Sequence, residues 1–261
     1  MIKILPDHVV NQISAGEVVE RPASVVRELV DNALDAGASE ITIELEEGGR
    51  ALVRVTDDGS GMSREDAPLA FGRHATSKLQ SAEDLTRIAS LGFRGEALPS
   101  IASVAKVRLL TRRAEDDAGT EVLIEGGEHK GGGHCAAKSG TVVEVRNLFF
   151  NTPARRKFLK QEKTEELRVK QWVLQSSVVR PEIRYRLFSD GKEVLNLPRR
   201  ENALARAAEI FRGSSVDFSK AIGPLRLEGL LLHPSLAQGE SSARLIFVNG
   251  RMISDRAVLR A

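Results

Sequence analysis

Residues 22–37 read PASVVRELVDNALDAG, and this stretch predicts the helix around which the rest of the fold is organised. Pro22 suits the first turn of a helix, and Gly37 follows the last apolar residue as a terminating glycine would. At about 3.6 residues per turn, one face of the helix is apolar and is predicted to lie on the core. That face carries Val26, Leu29, Val30 and Ala33.

The opposite face of this helix is polar in an unusual way. Asp31 and Asp35 are like charges one turn apart, which repel by roughly 0.2–0.5 kcal/mol. Asn32 lies beside them, where an amide competes with the backbone and does not favour a helix. A solvated polar face is the ordinary interpretation of such a pattern. A bound cation or a buried ligand would explain both features, so both interpretations stay open at this point.

The second informative stretch is LVRVTDDGSGM at residues 52–62. Alternation predicts a strand over residues 51–57, whose inward face carries Val53, Val55 and Asp57. Asp57 ends this apolar row, where a carboxylate needs hydrogen-bond donors. Gly59 and Gly61 permit a turn that a ligand can approach closely. Taken alone, an ordinary Asp-Gly turn is the simpler interpretation.

The third stretch, SLGFRGEAL at residues 90–98, is a glycine-framed loop that runs into a predicted helix. Pro99 is tolerated in the first turn of that helix. Backbone N–H groups at a helix start, preceded by glycines, favour a bound anion. Gly-x-x-Gly loops are common, so this stretch alone is a weak signal. The three stretches in this order form a specific one.

Together the three stretches resemble the ATP-binding motifs of the GHKL superfamily, which includes gyrase, the ninety-kilodalton heat-shock chaperone, histidine kinases and MutL. Within that superfamily the chain resembles the MutL family of mismatch-repair proteins over nearly its whole length. Four more runs carry this resemblance: NQISAGEVVERP at 11–22, RHATSK at 73–78, FNTPARRKFL at 150–159 and VNGR at 248–251. One departure is Asp58, where many relatives carry Asn; it flanks the turn, so little effect is expected.

The resemblance implies an α+β fold with two parts. Residues 1–198 would form a GHKL (Bergerat-type) α/β sandwich with a mixed sheet, and residues 199–261 a truncated second α/β domain. The second part is expected to be incomplete, because about sixty residues are few for an independent core. Its predicted elements are a helix at 202–211 and strands at 225–232 and 243–248.

The remaining elements of the first part follow from hydrophobic periodicity and turn residues. Strands are predicted at 105–112, 120–125 and 140–147, with a hairpin over 183–197 that turns at Ser189-Asp190-Gly191. The glycine-rich segment 126–134 between two of these strands is predicted to be a flexible surface loop. Helices are predicted at 153–159 and 162–179, the second with Leu167, Trp172, Val173 and Leu174 toward the core.

The resemblance also implies roles for single residues. Glu28 would be the general base that orients and deprotonates the attacking water. Asn32 would hold Mg²⁺, whose few protein ligands are completed by phosphates and waters. Asp57 would accept the adenine amino group. The residues expected to contact ATP are Asn32, Asp35, Asp57, Gly59, Gly61, Met62, Thr76, Ser77, Lys78, Leu91, Gly92, Phe93, Arg94, Gly95, Glu96, Ala97, Leu98 and Thr141.

Composition excludes several classes of protein. The 261 residues carry a net charge of +2, which is too small to indicate a nucleic-acid binder by itself. No apolar run approaches the roughly 20 residues that a membrane span needs, so no membrane partner is expected. The single cysteine, Cys135, excludes an internal disulfide and fits a reducing cytoplasm. It is expected to be an inert thiol, since no partner has metal-ligand spacing.

Local basic clusters predict weak, sequence-independent binding to DNA. Arg251 and Arg256 form one cluster and Arg155 and Arg156 the other. For the second cluster, a solvated basic face or pairing with Glu162 is an open alternative.

The expected function is an ATPase of the mismatch-repair type that couples ordering of a lid and dimerisation to DNA and to a MutS-type partner. Hydrolysis is expected to be weak, because a lysine that relatives supply from later in the second domain is not found here. The alternative is a nucleotide-gated DNA-binding clamp in which hydrolysis is incidental.

Overall fold

The structure is a computed structural model, and it describes residues 15–16, 18–72, 96–211, 215–232, 245–248 and 251–253. Two compact units divide the chain. The first comprises Met1–Lys170 and Tyr185–Asn196, and the second comprises Gln171–Arg184 and Leu197–Ala261. The proposed domain boundary after Pro198 stays a prediction, because a compact unit is not by itself an independently folding domain.

Helix α1 spans Pro22–Asp35 and confirms the predicted central helix. Arg21 is extended, and Pro22 occupies the first turn. At the other end, Gly37 adopts a φ of +73°, and its N–H donates to the carbonyl oxygen of Leu34 at 3.0 Å. This backbone conformation favours glycine and ends the helix. The apolar face is buried as predicted; it holds Val25, Val26, Leu29, Val30 and Ala33.

An eight-stranded sheet runs through the first unit. Its strands are β1 (Glu40–Glu46), β2 (Leu52–Asp57), β3 (Lys106–Arg112), β4 (Gly119–Glu125), β5 (Glu128–Cys135), β6 (Gly140–Arg146), β7 (Arg184–Ser189) and β8 (Lys192–Leu197). Their order across the sheet is β5-β4-β3-β6-β2-β1-β7-β8. Neighbours are antiparallel from β5 through to β1. The strands predicted on both sides of the glycine-rich segment, and the later hairpin, are confirmed.

The pairing of β1 with β7 makes the sheet mixed. The N–H of Asp190, just after β7, donates to the carbonyl oxygen of Leu45 near the end of β1 at 2.9 Å. The Asp190 carboxylate accepts the N–H of Glu47 at 3.1 Å. Because the carboxyl ends of these two neighbours meet, they run parallel. Asp190 and Gly191 have φ values of +47° and +77°, as a two-residue hairpin turn requires.

Helices pack on this sheet and bury its apolar rows. Helix α1 lies against β1 and β2, and a later helix, α3 (Ala97–Ser103), lies against β3 and β4. Ile41, Ile43 and Leu45 on β1 are at most 1% exposed, whereas the residues between them are half-buried. The other helices of this unit are α2 (Asp66–Leu69), α4 (Pro153–Phe158) and α5 (Glu162–Ser177), which continues into the second unit.

The prediction of a flexible loop over 126–134 is wrong, because most of that segment forms the edge strand β5. It pairs antiparallel with β4 across a bulge. A Cβ on Gly132, whose φ is +144°, would lie 2.1 Å from the carbonyl oxygen of Glu121. Glycine is therefore required for the close approach of the two backbones, although glycine is generally depleted in strands.

The prediction that Leu167 faces the core is also wrong, since its side chain is 53% exposed. Val173 is buried as predicted, whereas Trp172 and Leu174 are half-buried. The buried stripe of α5 instead runs through Glu165, Val169, Val173 and Ser177.

Burial of a charged residue explains the misassigned helix face. Glu165 is 1% exposed, and its Oε1 accepts the N–H of Lys160 at 2.9 Å and lies 4.0 Å from Arg21 Nη1. A hydrophobic pattern cannot place a glutamate inside, because the partners that permit its burial come from other segments.

Besides the end of α5, the described residues of the second unit form one helix and two small antiparallel sheets. Helix α6 (Ala203–Phe211) is capped by Asn202, whose side-chain oxygen accepts the N–H of Ala205 at 2.8 Å. The strands are β9 (Ser215–Ile222) paired with β10 (Leu225–Leu232), and β11 (Ile246–Val248) paired with β12 (Arg251–Ile253). The predicted helix and the strand at 225–232 are confirmed, while β9 and β12 were not predicted.

Replacing Ile43 by Ala should lower the free energy of unfolding by about 2–5 kcal/mol, because it leaves a cavity in the buried face of β1. The matched control is Thr42→Ala on the opposite face of the same strand, with an expected change below about 1 kcal/mol. Urea unfolding followed by circular dichroism measures both. Equal effects of the two variants would contradict the described orientation of β1.

Candidate functional site

The candidate site lies where β2 and β3 end and β6 begins, on the face of the first unit that carries α1. Asp57, the last residue of β2, is paired in register with Thr141 of β6, and Thr141 is paired with Thr111 of β3. The hydroxyl oxygens of Thr111 and Thr141 are 3.1 Å apart, and Thr111 Oγ1 donates to the carbonyl oxygen of Gly140 at 3.2 Å. The sheet thus brings together Asp57 and Thr141, which are far apart in the sequence.

The Asp57 side chain is half-buried at the end of β2, on the face that the alternation of this strand predicted. Burial raises its pKa to about 6, an effect that hydrogen bonds from the backbone N–H groups of Gly59 and Thr141 partly oppose. The Gly59 N–H lies 2.9 Å from Asp57 Oδ1. The neighbouring charge of Asp58 raises the pKa a little further. The result is a half-buried acceptor whose charge is only partly compensated by the protein.

The turn after Asp57 is fixed by close backbone approaches. A Cβ on Gly61, whose φ is +69°, would lie 2.2 Å from the carbonyl oxygen of Arg112. The next residue, Met62, donates its N–H to Thr111 Oγ1 at 2.9 Å. The glycine that the sequence linked to ligand approach is therefore also required for packing against the end of β3.

The same turn is tied to the end of α1. The N–H of Ser60 donates to the carbonyl oxygen of Ala36 at 2.9 Å, and a Cβ on Gly59 would lie 2.9 Å from the Cβ of Ala36. Asn32 lies one turn before Ala36, so the end of the polar face of α1 and the Asp57 turn are close neighbours. This juxtaposition favours the ligand interpretation of the polar face over simple solvation.

On the polar face of α1, Asn32 is half-buried and Asp35 is exposed. Glu28 retains 20% exposure, and its Oε1 lies 3.1 Å from Arg27 Nη2. This ion pair is at the surface and contributes little to stability. The Glu28 carboxylate and the Asn32 amide are one turn apart and project from the same side of the helix.

Asp58 has a structural role that the sequence did not predict. Burial tends to raise the pKa of its carboxyl group, but hydrogen bonds from the Ser39 hydroxyl and from the N–H groups of Glu40 and Ser39 outweigh this and lower it. The two N–H donors lie 2.8 and 2.7 Å from Oδ1. Asp58 thus stabilises the connection between α1 and β1. The two adjacent acidic residues at 57–58 are the sequence signal that could have indicated one carboxylate for a ligand and one for the fold.

Several predicted site residues lie outside the described residues. These are Thr76, Ser77, Lys78, Leu91, Gly92, Phe93, Arg94, Gly95 and Arg256. Glu96, Ala97 and Leu98 are described and form the start of α3, where the N–H of Ser100 donates to the carbonyl oxygen of Glu96 at 3.0 Å. Arg251 begins β12.

The two arginines of the second basic cluster are in different surroundings. The guanidinium of Arg155 packs against Gly16, where an added Cβ would lie 2.2 Å from Arg155 Nη2. Arg155 Nη1 is enclosed and has no hydrogen-bond partner among the described residues. Arg156 is exposed. This placement favours a packing role for Arg155 in seating residues 15–16, and its role in DNA binding stays a prediction.

The described residues contain no group of three or more His, Cys, Asp and Glu side chains that could hold a metal ion. A single amide such as Asn32 fits Mg²⁺ bound together with a nucleotide, because this ion takes few protein ligands and completes its shell with phosphates and waters.

Burial raises the pKa of the Cys135 thiol. None of the described helices is long and apolar enough to cross a membrane.

Several known proteins are similar to this chain in sequence and in fold. Residues 20–130 match the family described as histidine kinase-, DNA gyrase B- and HSP90-like ATPases. The structure resembles the MutL ATPase domain of Aquifex aeolicus complexed with ADP, with a TM-score of 0.75 and 32% identity over 93% of this chain and 87% of that one. A second structure of that ATPase domain, from the Aquifex aeolicus mismatch repair endonuclease MutL, gives a TM-score of 0.72 at 29% identity, over 93% of this chain and 83% of that one.

Among complete sequences, the DNA mismatch repair proteins MutL of Syntrophotalea carbinolica and Anaeromyxobacter sp. are 48% and 49% identical to the chain. Both matches cover 100% of this chain but only 42% and 44% of the relatives, so the chain spans less than half of their length. The GHKL fold, the position of the Asp57 turn against the end of α1, and the sequence identities all indicate the same family. The chain belongs to the MutL family of DNA mismatch repair proteins and has the fold of the family's ATPase domain.

Proposed function

We propose that the chain binds ATP and hydrolyses it slowly at the site formed by the polar face of α1, the Asp57 turn and the start of β6. The observation that carries the proposal is the half-buried Asp57 carboxylate beside Thr141, with its raised pKa, at the end of the sheet on which α1 packs. Carboxylate oxygens can each accept more than one hydrogen bond, so Asp57 retains capacity for a ligand donor. The adenine amino group is such a donor. The ADP complex of the Aquifex aeolicus relative supports a nucleotide as the ligand.

In this proposal Glu28 is the general base. Its carboxylate is partly shielded, projects from the polar face of α1 and is on the same side as Asn32. A positioned carboxylate can orient the attacking water and accept its proton as the water approaches the terminal phosphate. Asn32 would hold Mg²⁺, which when bound neutralises charge on the phosphates. Gly59 permits the close contact with Ala36 that keeps the Asp57 turn against the end of α1.

Replacing Glu28 by Ala should reduce the rate of ATP hydrolysis by about 10²–10⁴-fold, the usual contribution of a positioned base. Nucleotide affinity should be retained, because Glu28 is not assigned a binding contact. Single-turnover hydrolysis and calorimetry measure the two quantities on the same preparation. The control is Glu46→Ala, at the opposite end of β1 from the site. Loss of ATP affinity with an unchanged fold would refute this assignment, because it would show that Glu28 contributes to nucleotide binding.

Asp57 is proposed to select adenine, and its raised pKa makes this testable by pH. The ionised carboxylate accepts the adenine amino group, so bound ATP favours the ionised form. Because burial raises the pKa of Asp57 to about 6, lowering the pH through that value protonates the acceptor in the free protein. ATP affinity should therefore fall as the pH drops from 7 to 5 and recover as it rises.

The variant Asp57→Asn separates this effect from titration of the ATP phosphates. It should bind ATP more weakly at pH 7, since the acceptor becomes partly a donor, and should lose the part of the pH dependence centred near 6. Calorimetry from pH 5 to pH 7 with ATP and GTP compares the two proteins. Equal wild-type affinities for ATP and GTP would exclude Asp57 as the residue that recognises adenine.

Membership of the MutL family supports further proposals about the whole protein. Segments 72–80 and 91–95 would order over the phosphates, and nucleotide binding would favour a homodimer. A MutS-type protein would be the repair partner in the cytoplasm.

Binding of DNA is the second proposed function, and a specific observation favours it. Arg156, Lys157, Lys160 and Lys163 are exposed, and none of them forms an ion pair or a side-chain hydrogen bond within the described part of the chain. This set is called the basic segment below. Glu162, the acid in their midst, has its Oε1 3.8 Å from Arg50 Nη1. Unpaired cations bind phosphates without reading sequence. A nucleotide-gated clamp with incidental hydrolysis is compatible with both proposals.

The double variant Arg156→Glu/Lys157→Glu should bind DNA more weakly whatever its sequence, and should flatten the dependence of log affinity on log salt by about 1–2 units. Fluorescence anisotropy with labelled oligonucleotides at several salt concentrations measures this. Lys138→Glu/Lys192→Glu is the matched control, because it changes the same charge at exposed positions elsewhere. If both double variants behave alike, the effect reflects net charge and the basic segment is not the contact. Arg251→Glu/Arg256→Glu tests the other cluster in the same assay.

A further inference from the structure

A buried hydroxyl group, that of Thr111, lies behind the candidate nucleotide site. Thr111 is on β3, is 0% exposed and is not among the residues expected to contact ATP. Because β6 lies between β3 and β2, Thr111, Thr141 and Asp57 form a row across three adjacent strands. Partners in register point to the same face of a sheet, so this row leads from the interior to the half-buried Asp57 carboxylate.

The Thr111 hydroxyl has three polar neighbours, which together use its whole hydrogen-bonding capacity of one proton and two lone pairs. The N–H of Met62 donates to Thr111 Oγ1 at 2.9 Å and occupies one lone pair. The carbonyl oxygen of Gly140, 3.2 Å away, can only accept, so it takes the proton. The second lone pair remains for Thr141 Oγ1 at 3.1 Å, and Thr141 is therefore the donor in that contact.

This order of donors fixes the polarity of the Thr141 side chain. Its hydroxyl proton is directed to Thr111 inside the protein, so the lone pairs of Thr141 Oγ1 are left for a ligand. Thr141 is half-buried, and its backbone N–H donates to the neighbouring Asp57 carboxylate. An ionised carboxylate can also only accept hydrogen bonds. The two neighbouring side chains therefore offer acceptors to a ligand and no donor.

This arrangement distinguishes two classes of purine. A 6-amino purine such as adenine presents a donor to these acceptors, whereas a 6-oxo purine such as hypoxanthine presents another acceptor, which is left unpaired. We propose that Thr111 is a positioning residue for base selection, which holds the Thr141 hydroxyl as an acceptor and so strengthens discrimination against 6-oxo purines. The inference rests on the proposed nucleotide site and adds to it a residue that does not contact the ligand.

Calorimetry with ADP and inosine diphosphate at pH 7 tests the inference, because the bases of these two ligands differ at position 6 and in the proton on N1. Thr111→Val removes the hydroxyl and keeps the shape of the side chain, so Thr141 becomes free to turn its proton toward the ligand. The ratio of the ADP affinity to the inosine diphosphate affinity should fall by about 2- to 13-fold, which corresponds to one hydrogen bond.

Two variants control for the loss of packing. Thr111→Ser keeps the hydroxyl and should retain the wild-type ratio, even where the missing methyl group lowers the melting temperature. Thr120→Val removes a buried hydroxyl from the residue that pairs with Thr111 on β4, on the side of β3 away from the site. This variant should also leave the ratio unchanged.

A double-mutant cycle shows whether Thr111 acts through Thr141. Thr141→Val should itself lower the ratio, because it removes the hydroxyl that Thr111 is proposed to orient. In that background Thr111→Val should have no further effect on the ratio. A role of Thr111 that is confined to its hydrogen bond with Met62 would instead give the same effect in both backgrounds, and would overturn the inference.

The outcomes separate this inference from the proposed nucleotide site. If the wild type prefers ADP and Thr111→Val keeps that preference, the inference is refuted and the nucleotide site stands. An equal loss of affinity for both nucleotides assigns Thr111 to packing and also overturns the inference. If Thr111→Val does not fold, Thr141→Val and Thr141→Ser decide: an unchanged ratio in Thr141→Val refutes the acceptor role, and a ratio lowered in Thr141→Val but retained in Thr141→Ser supports it. If the wild type binds neither nucleotide, the site and the inference fail together.

Discussion

Packing of the apolar face of α1 on β1 and β2 is the interaction on which the rest of the site depends. Val26, Leu29 and Val30 are buried in this contact, which fixes the rotation of the helix about its axis. The opposite face then has to carry Glu28 and Asn32 outward together. The hydrogen bond from Ser60 to Ala36 adds a positional constraint, because it joins the end of the helix to the turn after β2. Burial of the apolar face of α1 thus determines the direction of the polar side chains on the opposite face.

At Asp57, the stability of the free protein and the proposed binding of a ligand have opposite requirements. Its carboxylate interrupts an apolar row and carries a pKa raised to about 6 by burial, so its ionised form is costly to the free protein. Asp58, one residue later, faces the connection after α1 and has its pKa lowered by three donors. Two adjacent carboxylates therefore have opposite electrostatic environments: one is satisfied by the fold, and the other has acceptor capacity for a ligand.

The basic surface shows a similar division between neighbouring residues. Arg155 is turned toward Gly16 and packs there, while Arg156 and Lys157 are exposed. Adjacent residues of a helix point in different directions, so one can pack against the protein while the next is exposed at the surface. Phe158 at the end of that turn is exposed with them. A chain of modest net charge can in this way present a concentrated local cluster of exposed cations.

The sequence by itself determined the elements that depend on local periodicity: α1, the strand ending at Asp57, the antiparallel strands, the Asp190-Gly191 turn and the inward direction of Asp57. It also indicated the family, through motifs whose order is specific. Tertiary structure alone decided the strand character of 128–135, since the backbone of β4 supplies the hydrogen bonds and glycine carries no pattern. It decided the burial of Glu165 and the exposure of Leu167, because the partners of a buried carboxylate come from distant segments. It also joined Asp57 to Thr141, because register between strands is set by the whole sheet and not by either strand alone.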